Sequence, residues 1–144
     1  CLYYGIAERL LDQLLVIQNA AAKLITRKYK YDHVGDDLYN LHWLQIRKRI
    51  IFKIALLAYK AANGHAPVFI QDMFTYSYQG YTPRLMIPNI NSRFGQRSFS
   101  FIGPKVFNNL PLHIITAENT TVFKKRLKTF LFELPMSQLG KLTT

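Results

Sequence analysis

A single cysteine, Cys1, stands in a chain of 144 residues. That scarcity excludes an internal disulfide framework and any zinc knuckle built from cysteine pairs. It also fits a reducing compartment, so an intracellular setting, nuclear or cytoplasmic, is expected. Long apolar runs are missing too. The longest, residues 50–59, is interrupted by Lys53 and is far short of the ~20 residues that span a bilayer. No membrane partner is expected. The chain opens Cys1-Leu-Tyr-Tyr-Gly5, with no initiating Met and no basic leader, which suggests a start inside a longer reading frame.

Chemistry-bearing clusters are equally sparse. The four histidines are His33, His42, His65 and His113, and no two are four residues apart on a helix, as a metal-ligating pair would be. There is no Gly-x-Ser-x-Gly elbow and no glycine-rich phosphate loop. Gly35-Asp36-Asp37 superficially matches the Asp-Asp pair of a polymerase palm, which sits on a tight hairpin between apolar strands and holds divalent metal ions. The residues that follow, Leu38, Leu41 and Trp43, have helical spacing, and only Glu8, Asp12 and Asp32 precede the pair as further carboxylates. The pair therefore reads as the start of a helix, where negative charge is favoured. Catalysis by these residues, a cofactor, a metal site and a small-molecule substrate are all unexpected.

What the chain has in quantity is positive charge and apolar surface. Nineteen Lys and Arg face eight Asp and Glu, a net charge of +11. Such an excess favours polyanions, because each neutralised phosphate releases counterions; an anionic membrane surface is the weaker fit. Residues of hydrophobic type make up 49% and aromatics 14%, enough to build a core rather than a disordered tail.

Periodicity predicts a mainly α fold of four principal helices with a small β-hairpin near residues 84–102. In the first helix Leu10, Leu11, Leu14, Leu15, Ile17, Ala21, Leu24 and Ile25 form one apolar face, with Lys23, Arg27 and Lys30 opposite. The second is short and starts at Asp36-Asp37. The third covers about 46–62, with Ile46, Ile50, Ile54, Leu57 and Ala61 sharing a face bordered by Arg49, Lys53 and Lys60; Asn63-Gly64 stops it. The last runs from an Asn119 or Thr120 cap to about Glu133 and ends at Pro135. A short helix is expected over 68–74, a loop over 75–83, and another short helix over 105–109 after a Gly103-Pro104 turn.

Four stretches carry a family resemblance. They are Leu11-Asp-Gln-Leu-Leu-Val-Ile-Gln-Asn-Ala-Ala-Ala-Lys-Leu-Ile-Thr26, the segment 31–67 with Leu38-Tyr-Asn-Leu-His-Trp-Leu-Gln-Ile-Arg-Lys-Arg-Ile50 at its centre, Arg97-Ser-Phe-Ser-Phe-Ile-Gly-Pro-Lys-Val-Phe-Asn-Asn-Leu-Pro111, and Phe123-Lys-Lys-Arg-Leu-Lys-Thr-Phe-Leu-Phe132. In this order they resemble the region downstream of the palm in reverse transcriptases of LINE-like, non-LTR retrotransposons of the jockey and chicken-repeat type. Lys23 stands where that family usually carries Arg. The resemblance implies a C-terminal, non-catalytic part of an RNA-directed DNA polymerase that primes on nicked target DNA. Residues 1–30 would close the thumb-like part, and 1–144 would form one helical region. Mg2+ is implied only for a palm outside this chain. The implied partners are RNA or an RNA–DNA duplex, together with the palm and thumb of the same polypeptide. A stand-alone basic binding domain and an inert or protein-packing remnant are the alternatives.

Candidate contacts to nucleic acid are Lys23, Arg27, Lys30, Arg47, Lys48, Arg49, Lys53, Lys60, Arg84, Arg93 and Arg97. Lys and Arg hold phosphates while a neighbouring aromatic stacks on a base. Trp43 is expected to serve as a core anchor, its indole buried. Arg84, Arg93 and Arg97, beside Tyr81, Phe94 and Phe99, are expected to form an aromatic-basic face on the hairpin.

Overall fold

The computed structural model describes residues 3–79 and 82–144. Its centre is α3 (Ile46–Ala62), a helix the sequence periodicity bounds correctly. Ala55, Ala58, Tyr59 and Ile54 lie almost wholly out of solvent. The two alanines present no bulk, so neighbouring helices can approach the backbone closely. α5 (Phe99–Asn108) and α7 (Thr120–Glu133) both pack on this helix. The buried arc is wider than the stripe expected for it: Ile51, Ala55 and Ala58 are buried, while Ile46, Ile50 and Leu57 stay half-exposed. A helix covered by two partners buries a broader sector than the single stripe of a surface helix.

Phe107, Val106, Ile102, Ile114, Phe123, Leu127 and Leu131 complete the main core. Tyr59 binds it together. Its ring stacks on Phe123 at 3.9 Å between centroids and 15° between planes, and its hydroxyl donates to the Ala117 carbonyl at 2.6 Å. Burial raises the Tyr59 pKa above its ordinary value, so the phenol stays protonated and able to donate. Asn119 caps α7 as expected, its side-chain oxygen accepting from the Val122 N–H at 2.9 Å.

α1 (Glu8–Thr26) and α2 (Gly35–Asn40) form a smaller unit against the start of α3. Ala22, Val34 and Leu38 make a second small core, with Leu41 and Trp43 half-buried against it. Asp36 and Asp37 occupy the first turn of α2, but neither caps it; Val34 holds the cap position without a side-chain bond. The apolar face expected for α1 is half open. Of it Leu11 is buried and Leu14, Leu15 and Ala21 are half-buried, while Leu10, Ile17, Leu24 and Ile25 are exposed, Leu24 by 82%; outside it Ala22 is buried and Val16 is 66% exposed.

The mainly α class holds, with a two-stranded antiparallel hairpin, but the hairpin lies elsewhere. β1 (Tyr76–Gln79) pairs with β2 (Thr82–Leu85), Tyr76 opposite Leu85 and Ser77 opposite Arg84. The stretch expected as a loop is therefore mostly strand. The stretch expected as a second strand becomes a 3-10 turn (Gly95–Arg97) followed by α5. Ile102, Gly103, Val106 and Phe107 recur at helical spacing, and burying that face outweighs the local break signalled by Gly103-Pro104. Pro104 sits inside the helix and removes one N–H from its ladder. The fourth long helix is thus α5, since α2 has only six residues. Three short helices, α4 (Val68–Gln71), α6 (Leu112–Ile115) and α8 (Met136–Leu139), connect the rest.

The two asparagines before Leu110-Pro111 are fasteners. Asn108 bonds both the N–H and the carbonyl of Leu85, at 3.0 and 2.8 Å, as a neighbouring strand would. Asn109 donates to the carbonyls of Lys141 and Leu142. Gly103 allows α5 to approach the hairpin: a Cβ there would stand 2.9 Å from Phe74 Cζ and 3.2 Å from Phe99 Cε2. Gly103→Ala is therefore expected to destabilise the fold by about 1–3 kcal/mol, overriding the usual helix preference for Ala. A denaturant midpoint equal to or above wild type would show that Phe74 is free to yield.

Candidate nucleic-acid interface

The carboxylates of this chain are concentrated at one end. Between Asp37 and Glu118 the sequence holds nine basic residues and one acid, Asp72. Every ion pair among the described residues is made by Glu8, Asp12 or Asp37. Asp37 is buried and meets Lys28 Nζ at 2.8 Å as an ion pair that clasps α2 to the end of α1. The Lys28 pKa is raised, first by its bond to Asp37. The Asp-Asp element is thus part of this clasp, and no cluster of three metal-ligating side chains occurs among the described residues.

Arg47 is likewise engaged. It reaches Glu8 and, at 3.1 Å, Asp12, joining α3 to α1. The bond to Glu8 is the main cause of its raised pKa. Gln18 reinforces the joint: its amide donates to the Leu44 carbonyl at 2.8 Å and its oxygen accepts from the Ile46 N–H at 3.0 Å. A free N–H at the start of α3 is satisfied from a neighbouring helix. Arg47 therefore acts first as a strut.

Lys48 departs furthest from a phosphate contact. It is buried, and its Nζ donates to the Phe132 carbonyl at 3.3 Å, near the end of α7. Desolvation lowers its pKa from the ordinary 10.5. A charge held there stabilises a helix C-terminus rather than meeting a strand.

Arg49, Lys53 and Lys60 are different. They fall at i, i+4 and i+11 on α3, one side of the helix opposite its buried arc, and no ion pair involves them among the described residues. Like charges four residues apart repel by about 0.2–0.5 kcal/mol in an isolated helix, a repulsion that bound phosphates would relieve. The other candidates scatter. Lys23 donates to the Lys30 carbonyl, and Lys30 lies 5.7 Å from the Tyr31 ring centroid. Arg27 ends α1 in the left-handed conformation, φ 55°. Arg84 lies on β2, apart from the turn that carries Arg93 and Arg97. Of the expected aromatic partners, Phe94 is 85% exposed, Phe99 packs edge-on against Phe74, and Tyr81 lies outside the described residues.

The fold brings Arg47, Arg93 and Arg97 to one cleft of about 650 Å³, with Tyr3, Tyr4 and Leu139 among its other walls. Sequence reasoning missed this cleft. It also passed over the exposed Lys124, Lys125 and Arg126 on α7, whose signal was present in the Lys-Lys-Arg run.

Comparison with protein-family models, with curated proteins and with solved structures finds no match. Among the described residues no helix is long and apolar enough to cross a membrane.

Lys48→Met is expected to leave the salt dependence of any polyanion binding unchanged, because Nζ faces a carbonyl inside the fold. Its signature is in stability. The depressed pKa means that the folded chain releases this proton before the unfolded chain does, so wild-type stability rises with pH through the window below 10.5. In thermal melts from about pH 8 upwards, wild type should gain on the variant as pH rises. A constant difference between them would contradict the desolvated lysine.

Proposed function

We propose that this chain is a C-terminal, non-catalytic part of a reverse transcriptase of a non-LTR retrotransposon, and that it helps to hold RNA or an RNA–DNA duplex. The identification rests on the motif order from Leu11 to Phe132. The binding role rests on one structural observation: the cationic stripe Arg49, Lys53 and Lys60, the first two exposed and the third half-buried, on the most firmly packed helix of the molecule. A rigid helix carrying uncompensated charge contacts a phosphate backbone without ordering a loop first, which keeps the entropic cost low. The stripe reads charge and spacing, not sequence.

The test is fluorescence anisotropy with a labelled single-stranded RNA and a labelled RNA–DNA duplex across a salt series. Affinity should fall steeply with salt. The triple variant Arg49→Ala, Lys53→Ala, Lys60→Ala should weaken binding and flatten the log–log salt slope by about 2–3 units, each lost phosphate contributing ~0.7–0.9. An unchanged slope in the triple variant would remove the stripe from the interface. Lack of binding at low salt would end the nucleic-acid reading altogether.

A second reading, that the chain is a protein-packing module, is favoured by the open face of α1. Val16, Ile17 and Leu24 on adjoining turns are apolar and exposed, a patch of the kind that marks a contact surface. In that reading the preceding thumb of the same polypeptide covers them. Ile17→Gln with Leu24→Gln should then lower the binding of an apolar-surface dye such as ANS to the isolated chain, measured by fluorescence, while leaving its melting temperature within a few degrees. A large drop in melting temperature would show that these side chains belong to the fold's own core.

A further inference from the structure

The cleft of about 650 Å³ has a composition that the α3 stripe lacks. Four separate parts of the chain close it: the segment before α1 with the first turn of that helix, the first half of α3, residues 93–97, and α8 with the turn after it. Tyr4, Ile50 and Leu139 give it an apolar wall, and Arg93 and Arg97 stand at its rim. Neither arginine has a carboxylate partner among the described residues. Glu8, the acid in the wall, is already held by Arg47.

The stem of Arg97 lies close against the backbone of the segment before α1. Gly5, at φ 74°, passes directly beneath its stem; a Cβ on Gly5 would lie 2.9 Å from Arg97 Cγ, Cδ and Nε. The glycine supplies a left-handed conformation that other residues adopt at a cost of about 1–2 kcal/mol, and it leaves the room in which the arginine lies down. The stem of Arg97 thereby lies against the backbone at Gly5, beside the cleft that both residues line.

An apolar wall with an aromatic member, closed by unpaired guanidinium groups, fits a ligand with a flat apolar ring and an attached anion. We propose that this cleft seats one unpaired nucleotide of the bound strand, its base against Tyr4, Ile50 and Leu139 and its phosphate between Arg93 and Arg97. The proposal rests on the nucleic-acid reading above and adds to it. The stripe on α3 tracks a backbone regardless of pairing, whereas the cleft accepts a base only when no partner strand occupies its hydrogen-bonding edge. Base stacking of this kind tolerates any sequence. A single strand, or a duplex with an overhang, is therefore preferred over a blunt duplex of the same charge.

The test uses the full 144-residue chain and small probes: adenosine monophosphate, adenosine and inorganic phosphate, each titrated while backbone amide NMR shifts are followed. Adenosine monophosphate should saturate with shifts concentrated at Gly5, Gln96, Arg97, Leu139 and Gly140, and at least tenfold tighter than inorganic phosphate. The exposed pair Arg93→Ala, Arg97→Ala should lose that saturation while keeping the wild-type melting temperature. Gly5→Ala, which displaces the Arg97 stem without removing its charge, should weaken the nucleotide several-fold. Equal affinity for phosphate and nucleotide would overturn the ring-binding wall. Shifts centred on Arg49, Lys53 and Lys60, or none at all, would overturn the cleft. The two levels separate cleanly. Loss of the cleft signal with an intact salt slope for long RNA leaves the stripe standing, and saturation by the nucleotide without long-RNA binding leaves a nucleotide site in a protein that does not track a backbone.

Discussion

The packing of α3 on two sides is the constraint from which the rest of the molecule follows. Ala55 and Ala58 present no bulk, so α5 and α7 can both lie close, and Tyr59 then finds Phe123 to stack on and the Ala117 carbonyl to donate to. Removing that hydroxyl would leave the buried Ala117 carbonyl unsatisfied at a cost of about 1–3 kcal/mol. Apolar burial and hydrogen bonding thus fix the same rotation of the same helix. Once that rotation is set, Arg49 and Lys53 have only the solvent side left to occupy, with Lys60 half-buried further along the same side. The cationic stripe is a geometric consequence of the core, which is why it is rigid.

Electrostatics divides the chain along different lines from packing. Glu8 and Asp12 neutralise Arg47 and hold α1 on α3, while Asp37 neutralises Lys28 and holds α2 on the end of α1. The pairs of Arg47 with the exposed Glu8 and Asp12 contribute little free energy individually, but together with the buried Asp37 they determine which cations are free. Arg47 and Lys48, adjacent in sequence to Arg49, end up as a strut and as a buried donor to the end of α7. Three consecutive basic residues therefore have three different environments, and only the third faces outward. A run of Lys and Arg in a helix cannot point one way, because successive residues are turned by 100°.

That is also the limit of what the sequence disclosed. α3 and α7 were legible because each has a strong period and a recognisable end, Asn63-Gly64 for one and the Asn119 cap for the other. α5 was not, because Gly103 and Pro104 are local signals for a turn, and the gain that overrides them comes from Phe74 and Phe99 closing on Gly103. The hairpin was displaced for a related reason. Tyr76 reads as loop composition beside Ser77 and Gly80, yet its hydroxyl reaches back to the Ala62 carbonyl at 2.6 Å, and Leu85 is gripped by Asn108 from α5. Strand formation there is imposed by tertiary contacts, not by alternation. The cleft had no sequence signal at all, since its walls are drawn from residues more than a hundred positions apart.

The open face of α1 and the cationic face of α3 belong to one physical situation. A chain of net charge +11 resists packing against copies of itself, since like charges repel across any close interface. An apolar helix face on such a chain is therefore better matched by a partner that is less basic than by a second copy. On the proposed function, a bound strand would supply neutralising charge near α3, and a neighbouring part of the same polypeptide would supply apolar cover for α1. The two readings of function are in this sense complementary. One face of the domain is suited to a polyanion and another to protein, and the ion pairs of Arg47 with Glu8 and Asp12 tie the two helices that present them.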